Sequence, residues 1–283
     1  MLYVLYAIGR KLALVLSQET FYKVAVFLAD IYYIFARSDR RNLTGNLKVI
    51  LKTNEDKVIK EHVRNVFRNF NKYLVDFFRF SELTRDYMIS QALIEGKQNI
   101  DQALTAGKGA ILVSAHIGNW ELGGAIVASM GYELYAIALN HDDERIDNFF
   151  ALQRNTAGMK TIPIGAQLKN CFKVLRKNNL LAIVGDRVFS DNGLEVNFFG
   201  RPTVLPKGPA FFNLRTGAPL IPTFTMRDKD GRFRMVFERP LETCLTGDEK
   251  TDIKRITESY VAVLEKYVRN YPDQWYICKK MWE

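Results

Sequence analysis

The sequence predicts an α/β fold: a largely parallel central sheet flanked by helices, preceded by an N-terminal helical membrane-associating segment. Three observations lead there. Beyond residue 100, short apolar runs alternate with helical patterns, which is the signature of strands joined by helical crossovers. Before residue 100 the apolar spacing is helical and the charge is basic. A chain of 283 residues with ordinary hydrophobic and charged fractions can bury a full core and has no reason to be disordered. The expected plan is a helical region, 1–100, and an α/β core, 101–283, together forming one domain. No internal repeat, low-complexity tract or interdomain linker interrupts it.

Residues 1–37 are apolar but broken by Arg10, Lys11, Lys23 and Asp30. No run reaches the roughly 18 uncharged apolar residues of a spanning helix. The missing early basic stretch also argues against a secretory signal. An interfacial helical segment fits better, with Tyr22, Phe27, Tyr32, Tyr33 and Phe35 at the headgroup level. The competing reading is a pair of ordinary core helices. Residues 58–80 form the clearest amphipathic helix. Ile59, Val63, Val66, Phe67, Phe70, Leu74, Phe77 and Phe78 make its stripe, and Lys60, Arg64, Arg68 and Lys72 form a basic ridge beside it. The ridge is either a solvated face or a contact for lipid headgroups or an acidic carrier protein. Strands are expected at 110–115, 134–139, 160–164, 180–185, 195–199, 220–226 and 234–238. Helices are expected at 120–129, 144–157, 166–177, 207–215 and 248–270.

Of the net charge of +9, residues 1–80 hold +7, from 14 Lys/Arg against 7 Asp/Glu. That asymmetry suits an anionic surface, and the lack of any nucleic-acid-binding fingerprint favours lipid over DNA or RNA. Cys171, Cys244 and Cys278 are far apart without C-x-x-C spacing, so neither a zinc site nor a disulfide framework is indicated. His62, His116 and His141 are scattered and no H-E-x-x-H occurs, which disfavours a metal hydrolase. His62 and His141 read as structural or exposed. G-x-S-x-G, G-x-x-x-x-G-K-[ST] and G-x-G-x-x-G are all absent, weakening serine-hydrolase, P-loop and dinucleotide readings.

The chemistry concentrates in His116-Ile117-Gly118-Asn119-Trp120-Glu121. His116 follows the strand 110–115 and so lies at its carboxyl end, where open α/β sheets place their ligand crevice. Asn119 is a good N-cap, which puts Glu121 in the first turn of the next helix. Five helical steps turn roughly 500°, so Glu121 can meet the imidazole only if Gly118 breaks the helical path. A carboxylate on the imidazole would fix its tautomer and make it a general base for a hydroxyl. The bland alternative is a capped helix beside a hydrogen-bonded core histidine. Two further polar groups stand out. Arg154, late in the helix 144–157, could grip phosphate or carboxylate, or sit on the surface. Asp186-Arg187 follows the strand 180–185, so a second polar strand end converges on the same cleft.

Taken together, these blocks resemble the lipid A biosynthesis late acyltransferases (lauroyl/myristoyl type) of the lysophospholipid acyltransferase superfamily. The resemblance rests on His116 to Glu121 with Leu122-Gly123-Gly124, and on Arg154 leading to Gly158 and Ile162-Pro163-Ile164. It continues through Asp186, Gly193, Val196-Asn197-Phe198-Phe199-Gly200 and Gly208-Pro209-Ala210. Arg215-Thr216-Gly217-Ala218-Pro219, Pro272-Asp273-Gln274-Trp275 and the early Arg40, Asn42 and Leu47 complete it. Leu205, Asn213 and Cys278 depart from the pattern, where threonine, alanine and histidine are usual. The resemblance implies transfer of a fatty acyl chain from an acyl carrier protein or coenzyme A thioester to a hydroxyl of lipid A precursor or a related glycolipid. It places the enzyme at the cytoplasmic face of the inner (plasma) membrane.

The resemblance makes His116 the base and Glu121 its orienting carboxylate. Arg154 and Asp186 would position substrate, helped by Asn119. Backbone amides near Gly118 or Gly200 would receive the oxyanion. No metal or organic cofactor is required, because the thioester is itself a substrate. Other acceptors (a phosphatidylinositol mannoside, an aminolipid or a lysophospholipid) stay open, as does a non-catalytic protein of the membrane surface.

Overall fold

The computed structural model describes residues 2–139, 141–164, 168–188 and 193–282. Four helices come first: α1 (Leu2–Val15), α2 (Gln18–Phe35), α3 (Arg37–Leu51) and α4 (Asp56–Phe78). Ser17 starts α2 by accepting the Thr20 amide on its hydroxyl, at 3.3 Å. α5 (Arg85–Ser90), β1 (Ala92–Glu95) and α6 (Lys97–Leu104) lead into the α/β alternation. There β2 (Ala110–Ser114), α7 (Trp120–Ser129), β3 (Leu134–Ala138), α8 (Glu144–Thr156), β4 (Lys160–Pro163), α9 (Leu168–Arg176) and β5 (Leu180–Val184) follow in turn. The hairpin β6 (Gly193–Phe198) and β7 (Arg201–Pro206) precedes α10 (Gly208–Thr216), β8 (Leu220–Arg227), β9 (Phe233–Phe237) and α11 (Glu249–Asn270).

Seven of these strands form one sheet in the order β1-β9-β8-β2-β5-β3-β4. β8, β2, β5, β3 and β4 run parallel, while β9 is antiparallel to β8 and parallel to β1. β2 lies at the centre and is buried on both faces, as a near-continuous apolar strand requires. Ile111 and Val113 enter one core with Phe212, Tyr260 and Leu264 from α10 and α11. Ala110 and Leu112 enter the other with Leu122 and Ile126 of α7 and Phe77 and Phe78 of α4.

The expected strands at 110–115, 134–139, 160–164, 180–185, 220–226 and 234–238 are present, the last of them antiparallel. The strand expected at 195–199 is β6, which pairs only with β7, outside the central sheet. The first two residues of the helix expected at 166–177 lie outside the described residues. The border at residue 100 is crossed by structure, since β1 pairs with β9 and α4 shares a core with β2.

Among the described residues no helix is long and apolar enough to cross a membrane. α1 and α2 nevertheless carry Leu5, Val15, Phe27, Ile34 and Phe35 more than half exposed. Two of the four members of the basic ridge of α4 are committed within the protein. Arg64 and Arg68 each grip the Asp30 carboxylate of α2 through two hydrogen bonds, at 2.7–2.9 Å, and so tie the two helices together.

Candidate active site

His116 is placed by the end of β2 and by the neighbour of that strand. β2 and β5 run in parallel register with Ser114 opposite Val184. Two residues further on, His116 therefore faces Asp186 across the same gap. Asp186 accepts the His116 backbone N–H on Oδ2 at 2.8 Å, and its Oδ1 lies 2.7 Å from the ring Nδ1. The indole N–H of Trp275 donates to Oδ2 as well, at 2.8 Å. Asp186 is completely buried. Burial by itself would raise its carboxyl. The adjoining imidazole and the hydrogen bonds from His116 and Trp275 outweigh that and hold it below the ordinary aspartate range. An ionised carboxylate only accepts, so Nδ1 is the ring nitrogen that donates to Asp186 and Nε2 is the one Asp186 leaves free.

The carboxylate that bonds the imidazole is thus Asp186, and not Glu121 as expected. Gly118 does break the path, at φ +62°. The break serves another purpose: it lets the chain pass under β8, where a Cβ on Gly118 would overlap the Thr225 carbonyl oxygen. α7 then begins at Trp120, and the Asn119 side chain caps it by accepting the Leu122 amide at 2.9 Å. Glu121, 6% exposed, turns towards α8 and takes three hydrogen bonds from the Arg154 guanidinium, at 2.6–3.1 Å. Burial would lower the guanidinium's pKa, but Glu121 more than reverses this and leaves Arg154 above its usual value.

The amides of Gly118 and Asn119 are engaged within the protein. The Gly118 N–H donates to the Gln274 carbonyl at 2.9 Å and the Asn119 N–H to that of Thr225 at 2.8 Å. The Asn119 side-chain amide donates to Asp76, so this residue braces the loop and touches no cavity that His116 lines. Gly200 is further away in function: Phe199 and Gly200, at φ +55° and +77°, make the two-residue turn of the β6–β7 hairpin.

His116, Glu121 and Arg154 all line one cavity of about 720 Å³ beneath α7. Its sheet-side wall comes from Leu112 and Ser114 of β2, Ala182 and Val184 of β5, and Ala136 and Ala138 of β3. Gly123, Gly124 and Val127 of α7 form the opposite wall. Arg187 also lines it, and so does His141, exposed as one of its two expected readings had it, with its ring 4.8 Å from that of Phe150. The His116 ring stands edge-on to Trp120 at 5.2 Å, and Trp120 stacks on Tyr73 at 4.4 Å. One polar mouth above an apolar chamber can hold a hydroxyl and a reactive carbonyl above, with a hydrocarbon chain below.

Sequence reasoning missed a second group. Asp76 of α4, 3% exposed, accepts hydrogen bonds from Gln18 and Tyr22 of α2, from Asn119 and from Arg227 of β8. Burial pushes its carboxyl up, and Arg227, Tyr22, Gln18 and Asn119 pull it partly back. The available signal was a carboxylate inside the apolar run Leu74-Val75-Asp76-Phe77-Phe78. The departures from the usual pattern fit their places: Leu205 is fully buried, and Asn213 donates to the Ala218 carbonyl at 2.8 Å.

The model of the bacterial lipid A biosynthesis acyltransferase family matches residues 1–283. The chain belongs to that family. This acyltransferase is similar to the phosphatidylinositol mannoside acyltransferase of Mycobacterium tuberculosis (strain ATCC 25618 / H37Rv), with 27% identity over 220 residues, 76% of this chain and 68% of the relative. It is similar also to the protein of the same name from Mycolicibacterium smegmatis (strain ATCC 700084 / mc(2)155). There the identity is 24% over 261 residues, 91% of this chain and 84% of the relative. The enzyme transfers acyl groups, and its family implies an acyl donor and a lipid acceptor.

Proposed function

We propose that this acyltransferase moves a fatty acyl chain from an acyl carrier protein or coenzyme A thioester to a hydroxyl of a glycolipid, working at the cytoplasmic face of the inner membrane. The observation that carries this reading is the His116–Asp186 pair at the mouth of the 720 Å³ apolar cavity. His116 Nε2 takes the proton of the acceptor hydroxyl as its oxygen attacks the thioester carbonyl. Asp186 stabilises the imidazolium that forms. The tetrahedral intermediate collapses by breaking the carbon–sulfur bond, an ester forms, and the imidazolium returns its proton to the departing thiolate. Arg154, held by Glu121, lines the same cavity as His116 and would offer a fixed positive charge to the developing oxyanion.

Lipid A precursor and phosphatidylinositol mannoside are both glycolipids that offer a hydroxyl for acylation. The relatives, both phosphatidylinositol mannoside acyltransferases, favour the mannoside. The exposed apolar residues of α1 and α2 support seating on a lipid surface, which would bring acceptor lipid to the cavity without its leaving the membrane. The test is turnover of purified enzyme with acyl thioesters and each acceptor, the ester being detected by mass spectrometry. His116→Ala should lower turnover by about 10²–10⁴. Equal turnover of the two proteins would end the assignment of His116. Sedimentation with vesicles containing anionic lipid tests the membrane contact, and Phe27→Asp with Phe35→Asp should abolish it.

A further inference from the structure

We infer that Met159 and Leu134 close the inner end of the cavity and set the longest acyl chain the enzyme accepts. The inference rests on the reading of the cavity as the acyl chamber. The register of the sheet supplies a depth scale. Ser114 and Val184 share the level below His116 and Asp186; Leu112, Ala182 and Ala136 share the next; Ala110, Leu180 and Leu134 share the lowest. The upper levels line the cavity from several strands, whereas at the lowest only Leu134 does, so the chamber ends there. Six strand positions separate the level of His116 from that of Leu134, roughly 20 Å. That depth suits an extended long-chain acyl group with its carbonyl at the imidazole.

The middle of the chamber is open where its sheet-side wall is small, at Ala136 and Ala182, while Gly123 lets Thr225 pack close against α7. At the bottom that changes. A Cβ on Gly124 would overlap Met159 Sδ and lie 3.5 Å from Leu134 Cδ2, so the thioether and the leucine meet beneath this glycine. Both side chains are buried, at 2% and 1% exposure, and both line the cavity. The Met159 backbone is held in place where α8 ends: its amide bonds the Arg154 carbonyl at 2.9 Å after Gly158 turns at φ +82°. An unbranched thioether on a fixed backbone is a wall whose position one substitution moves.

The experiment offers purified enzyme a mixture of saturated acyl thioesters of graded length and reads the products by mass spectrometry. Met159→Ala should move the preferred chain to longer donors, raising the ratio of the longer to the wild-type optimum at least about tenfold. Met159→Trp should move it to shorter ones, and Met159→Leu should leave it unchanged. Ala182→Leu, halfway down, is the control on the chamber itself. If Ala182→Leu shortens the preferred chain while Met159→Ala and Met159→Trp leave it unmoved, the end wall lies elsewhere and the inference is overturned. If none of the three alters the donor profile, the acyl-chamber reading fails with it. Thermal unfolding of each variant separates these results from loss of fold.

Discussion

Asp186 holds His116 twice, accepting its backbone N–H at 2.8 Å and lying 2.7 Å from its ring Nδ1. One carboxylate therefore fixes both where the histidine stands and which nitrogen faces the cavity. Asp186→Asn keeps the shape but removes the charge and allows the wrong tautomer. Turnover should fall by about 10²–10⁴ while the thermal unfolding transition persists.

Glu121 and Arg154 are a mostly buried ion pair at the cavity mouth, at 7% and 15% side-chain exposure. Glu121→Gln leaves the guanidinium without its countercharge and should cost roughly 3–5 kcal/mol of stability. Joint replacement, Glu121→Leu with Arg154→Met, should cost far less than the sum of the single changes. Urea unfolding of the four proteins gives the coupling directly.

Gly118 cannot accept a side chain without moving β8, because φ is +62° and the Thr225 carbonyl occupies the Cβ position. Gly118→Ala should destabilise the protein by about 1–3 kcal/mol from backbone strain, with the overlap adding to it. Denaturant midpoints measure the loss. Turnover should fall as well, since His116 lies two residues away.

Asp30 is held below the ordinary aspartate range by hydrogen bonds from Arg68 and Arg64. A carboxyl with a depressed folded-state pKa contributes stability above its unfolded value, about 3.9, and loses it as pH falls towards the folded value. Wild type should therefore lose stability in this acid window more steeply than Asp30→Asn. Acid unfolding curves followed by circular dichroism check this; identical slopes would mean that the α2–α4 clamp adds nothing.

What the sequence made visible follows from what is local. β2 and β8 are apolar and β-branched enough to read as strands, and Asn119 is recognisable as a cap. Pairing is not local. That Asp186 rather than Glu121 meets His116 depends on β5 lying beside β2, which no spacing along the chain reveals. β7 was missed because Pro202 and Pro206 make it read as loop, although a hairpin edge tolerates both. β1 is four residues long and partly exposed, too short to show a period. Asp76 was visible as an anomaly in an apolar stripe, but its partners Gln18, Asn119 and Arg227 come from three distant parts of the chain.

The segment after α11 reaches back to the reactive loop at three points. Gln274 receives the Gly118 amide, the Tyr276 amide bonds the His116 carbonyl, and the Trp275 indole anchors Asp186, 89 residues earlier. During translation every strand of the central sheet leaves the ribosome before these residues do. A nascent chain that has released every strand of the sheet therefore still lacks three of the contacts that brace His116 and Asp186. Full acyl-transfer competence arrives as a late event of synthesis, and chains shortened before Gln274 should turn over the thioester more slowly than the full chain.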